Sequence, residues 1–309
     1  MHLNWRHIVF TACWSFALWG LFACEEPVDL DIELPDQRLV VNANLLPGEL
    51  VRVTVSVSNN VLAESTKVSL REASVAVYLG DEIVEVLTYQ EGAEEESYYE
   101  SIDFRPAIGV AYTIEVTHPA FPPAYAISII PESTSVDSLL INRLMYTVLT
   151  PIRSQIDFDV RIIYADNPDQ TNYYRLRCHQ LIRNFHVQSS GDTIFSEVST
   201  RQIKFSPDID DTWITSAATG SVLLKDLPRP EGVSVPVSLE INPNRELLGR
   251  FQVELATVSK SYYDFYVSLS RQGGPAGGLT QTPSIEGNVS NGHGVVTGEN
   301  SSTYGVEVR

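Results

Sequence analysis

The chain is poor in cysteine and in positive charge, and each shortage excludes classes of protein. Only three of its 309 residues are cysteine, which leaves no room for a dense disulfide framework or a four-cysteine zinc site. Lysine and arginine number 21 against 39 aspartates and glutamates, so the formal net charge is -18. Such a surface repels phosphate backbones, which excludes nucleic acid as a partner. Apolar residues still make up 43% of the chain, too many for a disordered acidic segment.

Catalytic motifs are missing as well. The sequence has no Gly-x-Ser-x-Gly, His-Glu-x-x-His or Cys-x-x-Cys motif and no glycine-rich phosphate loop after a strand. The histidines that follow residue 24 are His118, His179, His186 and His293. His179 adjoins Cys178, and neighbours on one strand point to opposite faces, which favours a structural histidine and a buried free thiol over a nucleophile or a metal site. We therefore do not expect an enzyme or a bound cofactor.

The first segment has the pattern of a targeting signal. Arg6 precedes sixteen uncharged residues, 8–23, which are too few to span a bilayer comfortably but suit a signal-peptide core. The run Leu21–Cys24 resembles a bacterial lipobox, in which the cysteine becomes the lipidated N-terminus; the alternative is a chance cysteine at the end of an ordinary signal or anchor. We predict a signal peptide over residues 1–23 and a stable lipid anchor on Cys24.

Acidic residues follow this predicted anchor directly. Residues 25–34 contain five of them, beginning with Glu25 and Glu26. The run is either a solvated linker or, as Glu25 and Glu26 suggest by resemblance, the surface-export signal of Bacteroidota lipoproteins. We predict that residues 24–36 form an acidic tether, and we expect a lipid-anchored protein of the outer membrane that faces the cell surface.

The rest of the chain alternates apolar and polar residues with the period of half-buried strands. The clearest case is 51–58, where four valines alternate with polar residues. About seven such segments lie within residues 37–131, which predicts an Ig-like antiparallel β-sandwich without a stapling disulfide. A proline and small polar residues interrupt the pattern at 131–135, and a second β-rich domain is predicted over residues 132–309.

One helix is predicted in the second domain, over about residues 259–271. Ser259 can cap its N-terminus. The apolar stripe at helical spacing consists of Tyr262, Phe265, Tyr266 and Leu269. Such a stripe favours packing over binding. The glycine-rich loop 273–278 that follows is either a contact loop or slack between elements.

Loop carboxylates supply the one metal candidate. Asp208, Asp210 and Asp211 offer several oxygen ligands of the kind that calcium requires. A second acidic loop, 166–169, is a weaker candidate. Neither loop keeps the twelve-residue calcium motif with its glycine and closing glutamate, and ordinary turn chemistry accounts for both. We predict no obligatory cofactor, with calcium at these three aspartates as the alternative.

The order and spacing of these features resemble a known family. The segments that carry the resemblance, besides the lipobox, are Leu39–Asn42, Ala73–Val77, 172–176, Ser259–Leu269 and 288–294. They are similar to those of a Bacteroidota surface lipoprotein family known only as a domain of unknown function. The resemblance implies a surface lipoprotein encoded near TonB-dependent outer-membrane receptors, and it brings no catalytic residues with it.

Three functions remain open on sequence. The first is a non-enzymatic binding or scaffolding accessory to a TonB-dependent transporter or a similar outer-membrane β-barrel complex. The second is a hydrolase of glycan or peptide that uses carboxylates of the loops 208–211 or 94–96, which would have to sit about 5–10 Å apart across a cleft. The third is an adhesin or glycan-binding module, whose aromatic platform would rely on tyrosines because Trp213 is the one tryptophan after residue 24.

Overall fold

The computed structural model describes residues 36–58, 70–92, 97–165, 169–203, 205, 214–216, 220–225, 232–272 and 284–308. Within these ranges the chain folds into strands β1–β17 and one helix, α1, which confirms the predicted mainly β fold with several sheets. The described residues from 37 onward form one compact unit.

The first eight strands build a sandwich around the first hydrophobic core. They are β1 (Leu39–Leu45), β2 (Arg52–Val57), β3 (Ser74–Leu79), β4 (Glu82–Val86), β5 (Thr88–Gln90), β6 (Tyr98–Glu100), β7 (Ala111–His118) and β8 (Phe121–Ile129). One sheet has the order β4-β3-β7-β8, and the facing strands β1 and β2 belong to a larger sheet. Val53 and Val55 of the alternating valine run are buried between the two sheets, as the pattern predicts.

The remaining strands surround a second core. They are β9 (Val136–Thr150), β10 (Arg153–Tyr164), β11 (Tyr173–Val187), β12 (Thr193–Ile203), β13 (Ile214–Ser216), β14 (Ser221–Lys225), β15 (Val233–Ile241), β16 (Glu246–Val258) and β17 (His293–Glu307). A three-stranded sheet, β15-β10-β9, packs on β11 and β16. At the centre of this core the rings of Phe158 and Phe251 meet edge to face, 5.4 Å apart.

Strand β17 joins the two series of strands. Its first part pairs in parallel with β1 and its second part pairs antiparallel with β16, so a ten-stranded sheet runs through both series. Gly294 makes the contact with β1 possible, because a Cβ there would lie 2.2 Å from the Val41 carbonyl oxygen. Val296 packs in the first core and Val306 against the second. The predicted domain boundary near residue 131 stays a prediction: the cores lie on either side of it, but β17 serves both.

Helix α1 (Lys260–Gln272) lies where the sequence predicts it. The Ser259 hydroxyl accepts hydrogen bonds from the backbone N–H groups of Tyr262, at 3.3 Å, and Gly298, at 3.1 Å. It therefore caps the helix and ties it to β17. Of the predicted stripe, Tyr262 is buried against the sheet and Tyr266 packs beside it half-buried, whereas Phe265 and Leu269 are only partly buried. Among the residues described, no helix is long and apolar enough to cross a membrane.

Candidate interaction surfaces

The four-stranded sheet has an apolar outer face. Register places Ala76 beside Val86 and Glu115, and Tyr78 beside Ile83 and Thr113, all on the side away from the core. Five large apolar side chains on this side are between 39% and 60% exposed, namely Ile83, Val86, Tyr125, Ile127 and Ile129. Outward positions of a sandwich are normally polar, so these exposed apolar side chains make this side of the sheet a candidate binding surface. We call these five residues, with Tyr78 and Glu115, the outer face.

Strand β8 shows the reversal most clearly. Its inward residues Ala124, Ala126 and Ser128 are small and buried, whereas the larger Tyr125 and Ile127 face outward. A strand that served only its own core would place the large apolar side chains inside. The backbone edge of β8 is covered, because Tyr125 and Ser290 exchange hydrogen bonds of 3.2 and 2.8 Å. The side chains of β8, rather than its edge, are therefore what a partner can contact.

The outer face carries negative charge and no positive charge. Strands β3, β4, β7 and β8 contain three glutamates and no lysine or arginine. Glu115 accepts a hydrogen bond from the Tyr78 hydroxyl at 3.2 Å, and burial together with this carboxylate raises the pKa of Tyr78. Glu85 points away and accepts hydrogen bonds from the backbone N–H groups of Ile102 and Phe104. Glu115 is thus the charge that a partner meets on this face.

A crevice of about 360 Å³ adjoins the outer face. Ile127 and Ile129 form its apolar wall, and Lys260, Asp264 and Glu286 supply its charged groups. The Lys260 ammonium pairs with the Asp264 carboxylate. This hydrogen bond, with the nearby Glu286 carboxylate, raises the pKa of Lys260. One cation therefore faces two carboxylates, and the crevice is negative overall.

A buried ionic network lies beneath helix α1. Arg175 on β11 is 3% exposed, and its Nη2 atom is 2.6 Å from Glu254 Oε1 and 3.3 Å from Glu299 Oε1. The guanidinium lies 5.9 Å from the Tyr262 ring centre, and burial raises the pKa of that phenol. Arg177 reaches Glu254 at 3.9 Å. These charges neutralise one another, so we interpret the network as a support that positions the helix on three strands.

A second apolar surface lies at the hairpins β9–β10 and β11–β12. The side chains more than 40% exposed there include Leu144, Met145, Tyr146, Val148, Leu149, Ile152, Val187, Ile194, Phe195 and Val198. Register shifts interrupt the pairing of β9 with β10 near Arg143, whose φ is 54°, and again near Thr150. Bulges of this kind twist an edge strand and blunt it against further pairing. This second surface therefore offers side chains rather than a free strand edge.

Most residues singled out from the sequence lie outside the described ranges. These are the anchor and tether residues Cys24, Glu25 and Glu26, the calcium candidates Asp208, Asp210 and Asp211, and the loops 94–96, 166–168 and 273–278, with Trp213. In the part of the chain that is described, no group of three or more histidine, cysteine or carboxylate side chains is placed to hold a metal ion. The lipid-anchor and calcium predictions stay predictions. A melting temperature unchanged by a chelator would dismiss calcium.

The cysteine and histidine predictions can be checked directly. Cys178 is a free, fully buried thiol in the second core, and burial raises its pKa. His179, next to it on β11, lies on the other face, as alternation requires. Cys178 and His179 therefore do not face each other. His118 is structural, since its Nδ1 atom accepts a hydrogen bond from the Ala120 backbone N–H at 3.1 Å.

Paired carboxylates occur on β10. Asp157 and Asp159 share its outward face and line a crevice of about 360 Å³. Gln155 donates a hydrogen bond to Asp157 at 2.9 Å, and Arg143 lies 3.5 Å from Asp159. Both carboxylates are therefore engaged by neighbours in the chain, and the crevice gives the hydrolase alternative no specific support.

The chain matches the model of one known family. A family model described as a domain of unknown function, DUF4249, matches residues 25–304. The match covers most of the chain, so the protein belongs to this family. Comparison with curated proteins finds no match. The family-level resemblance drawn from the sequence, a domain of unknown function, is thereby confirmed.

The outer face is only weakly marked in the sequence. A signal was present in 121–129, where apolar residues occupy both phases of the alternation. Residue size then distinguishes the two phases, because alanine and serine alternate with tyrosine and isoleucine. The crevice had no such signal, since its walls come from three separate segments.

Proposed function

We propose that this protein is a lipid-anchored outer-membrane protein facing the cell surface, where it serves as a non-enzymatic binding or scaffolding accessory to a TonB-dependent transporter or a similar complex. The resemblance of Leu21–Cys24 to a lipobox supports the anchor on Cys24. The acidic residues Glu25 and Glu26 support export to the surface. Family membership agrees with the resemblance from which the transporter neighbourhood was inferred.

The apolar outer face is the observation that carries the binding role. Its five large side chains are each about half exposed, and covering the remaining area of one would contribute about 1 kcal/mol. Together they supply several kcal/mol before the costs of association, which suits a protein partner.

Affinity purification from detergent-solubilised outer membranes tests the proposal. We expect a β-barrel receptor to co-purify with the wild-type chain in equimolar amount. A Cys24→Ala variant should lose its acyl chains and its membrane attachment, and protease treatment of intact cells should digest the wild-type body. Purification of the protein alone would contradict the accessory role, and protection from protease would contradict the surface orientation.

A further inference from the structure

The large apolar side chains of the outer face point toward solvent and not into the chain's own core. Strand β8 directs Ala124 and Ala126 toward the core and Tyr125 and Ile127 toward solvent, so its larger apolar side chains are the exposed ones. Val86 and Ile83 lie at the other edge of the same face, on β4, with Thr113 and Glu115 of β7 and then Ala76 and Tyr78 of β3 between them and β8. An occupant must therefore offer an apolar surface of its own.

The negative charge of the outer face indicates which kind of partner could bind there. The four strands contain glutamates and no lysine or arginine, and Glu115 sits among the exposed apolar side chains. A second copy of this chain would bring one glutamate-bearing face against another, and an anionic lipid surface would meet the same repulsion. A segment with positive charge meets attraction instead.

The adjoining crevice adds a place for that charge. Its apolar wall, Ile127 and Ile129, can cover the methylene stem of a long cationic side chain. Its opposite walls hold Asp264 and Glu286 with Lys260 as the single cation.

We propose that the outer face binds an apolar segment of a partner protein, and that a lysine or arginine of this segment enters the crevice between Ile127 and the carboxylates of Asp264 and Glu286. The inference rests on the proposed accessory function and names its docking site. Apolar contacts supply most of the buried area of the interface, while the cation in the crevice fixes the position of the partner segment on the sheet.

Site-specific photocrosslinking of the full chain in its own membrane tests this inference. A photoreactive phenylalanine at Ile127 should crosslink to an outer-membrane protein, and mass spectrometry should place the crosslink in an apolar segment that contains lysine or arginine. The same probe at Ile194 on β12, which belongs to the second apolar surface, is the control and should give no such product, because the proposal places the partner on the outer face.

Reversing the charge of a crevice residue provides a second test of the proposal. Glu286→Lys should lower the crosslinking yield at Ile127 about tenfold or more, because it makes the crevice positive. Glu197→Lys, on exposed β12, should leave the yield unchanged. Melting temperatures of the two variants should match that of the wild type, since both positions are exposed.

The outcomes separate this inference from the function on which it rests. Crosslinks from Ile127 to a second copy or to lipid, a partner segment without a cation, or equal yields for both charge reversals would each overturn the docking site. If a receptor co-purifies but crosslinks at Ile194 instead, the inference fails and the accessory function stands. If no receptor co-purifies with the wild type, the accessory function itself fails.

Discussion

Replacing Arg175 by methionine should destabilise the protein strongly, because the buried ionic network beneath α1 depends on this guanidinium. Methionine keeps most of the volume of the arginine stem and removes the charge. Glu254 and Glu299 would then remain together, at 21% and 13% exposure, with Arg177 as the nearest cation. Two carboxylates left under a helix repel each other and lose their main hydrogen-bond donor.

The size of the effect follows from burial. Removing one partner of a fully buried pair costs about 3–5 kcal/mol. Both carboxylates keep some exposure and Arg177 lies 3.9 Å from Glu254, so we expect about 2–3 kcal/mol here. Arg153→Met is the matched control, because Arg153 pairs with Glu240 at 2.5 Å while the two side chains are 57% and 51% exposed. Surface pairs of this kind contribute less than about 1 kcal/mol.

Urea unfolding followed by circular dichroism measures both variants against the wild type. Equal losses for Arg175→Met and Arg153→Met would refute the view that the network stabilises the helix–sheet contact. A further variant that combines Arg175→Met with Glu254→Gln and Glu299→Gln should recover part of the lost stability, because it removes the repulsion. No recovery would show that the loss arises from packing instead.

Three other predictions concern single groups. Ser259→Ala should lower the free energy of unfolding in urea by about 1–2 kcal/mol, because the hydroxyl accepts hydrogen bonds from two backbone N–H groups at the start of α1. Ser259→Asp should restore most of this stability. For Glu85, burial pushes the pKa up, but backbone N–H groups of 102–104 outweigh it and hold the pKa below its ordinary value. Its contribution is therefore present above the unfolded pKa and lost as pH falls through the lower folded value. Solvent screens this partly exposed carboxylate, so Glu85→Gln should cost no more than about 0.5 kcal/mol at neutral pH and nothing in strong acid; a constant gap between the two unfolding curves would contradict this. The Cys178 thiol should not react with Ellman's reagent until denaturant unfolds the second core, and rapid labelling of the native protein would show that the core opens locally.

Much of the fold follows from local pattern. The valines of 51–57 predict β2 because each inward position is apolar and each outward one polar. The helix follows from a cap at Ser259 and apolar spacing, and the structure gives Lys260–Gln272. In both cases one face is buried and the other is solvated, which is the condition under which periodicity reports structure.

The pattern fails where both faces of a strand are apolar or both are exposed. Strand β9 runs to Thr150, although 144–150 is uncharged and carries no alternation that would predict a strand there. The pairing of β17 with β1 joins residues about 250 positions apart, which no local signal specifies. The outer face is hard to predict because both faces of β8 carry apolar residues. Its crevice is hard to predict because the residues that line it are far apart in the sequence.

The accessory role can be tested most directly by measuring which outer-membrane protein is recovered with the chain and how much of it an Ile127→Glu substitution removes. We expect an equimolar β-barrel receptor with the wild type, at least about a tenfold loss with Ile127→Glu, and no loss with Ile194→Glu on the distant hairpin. Recovery of the wild-type protein without a receptor would contradict the accessory role, and equal recovery of the receptor with all three proteins would contradict the docking site on the outer face.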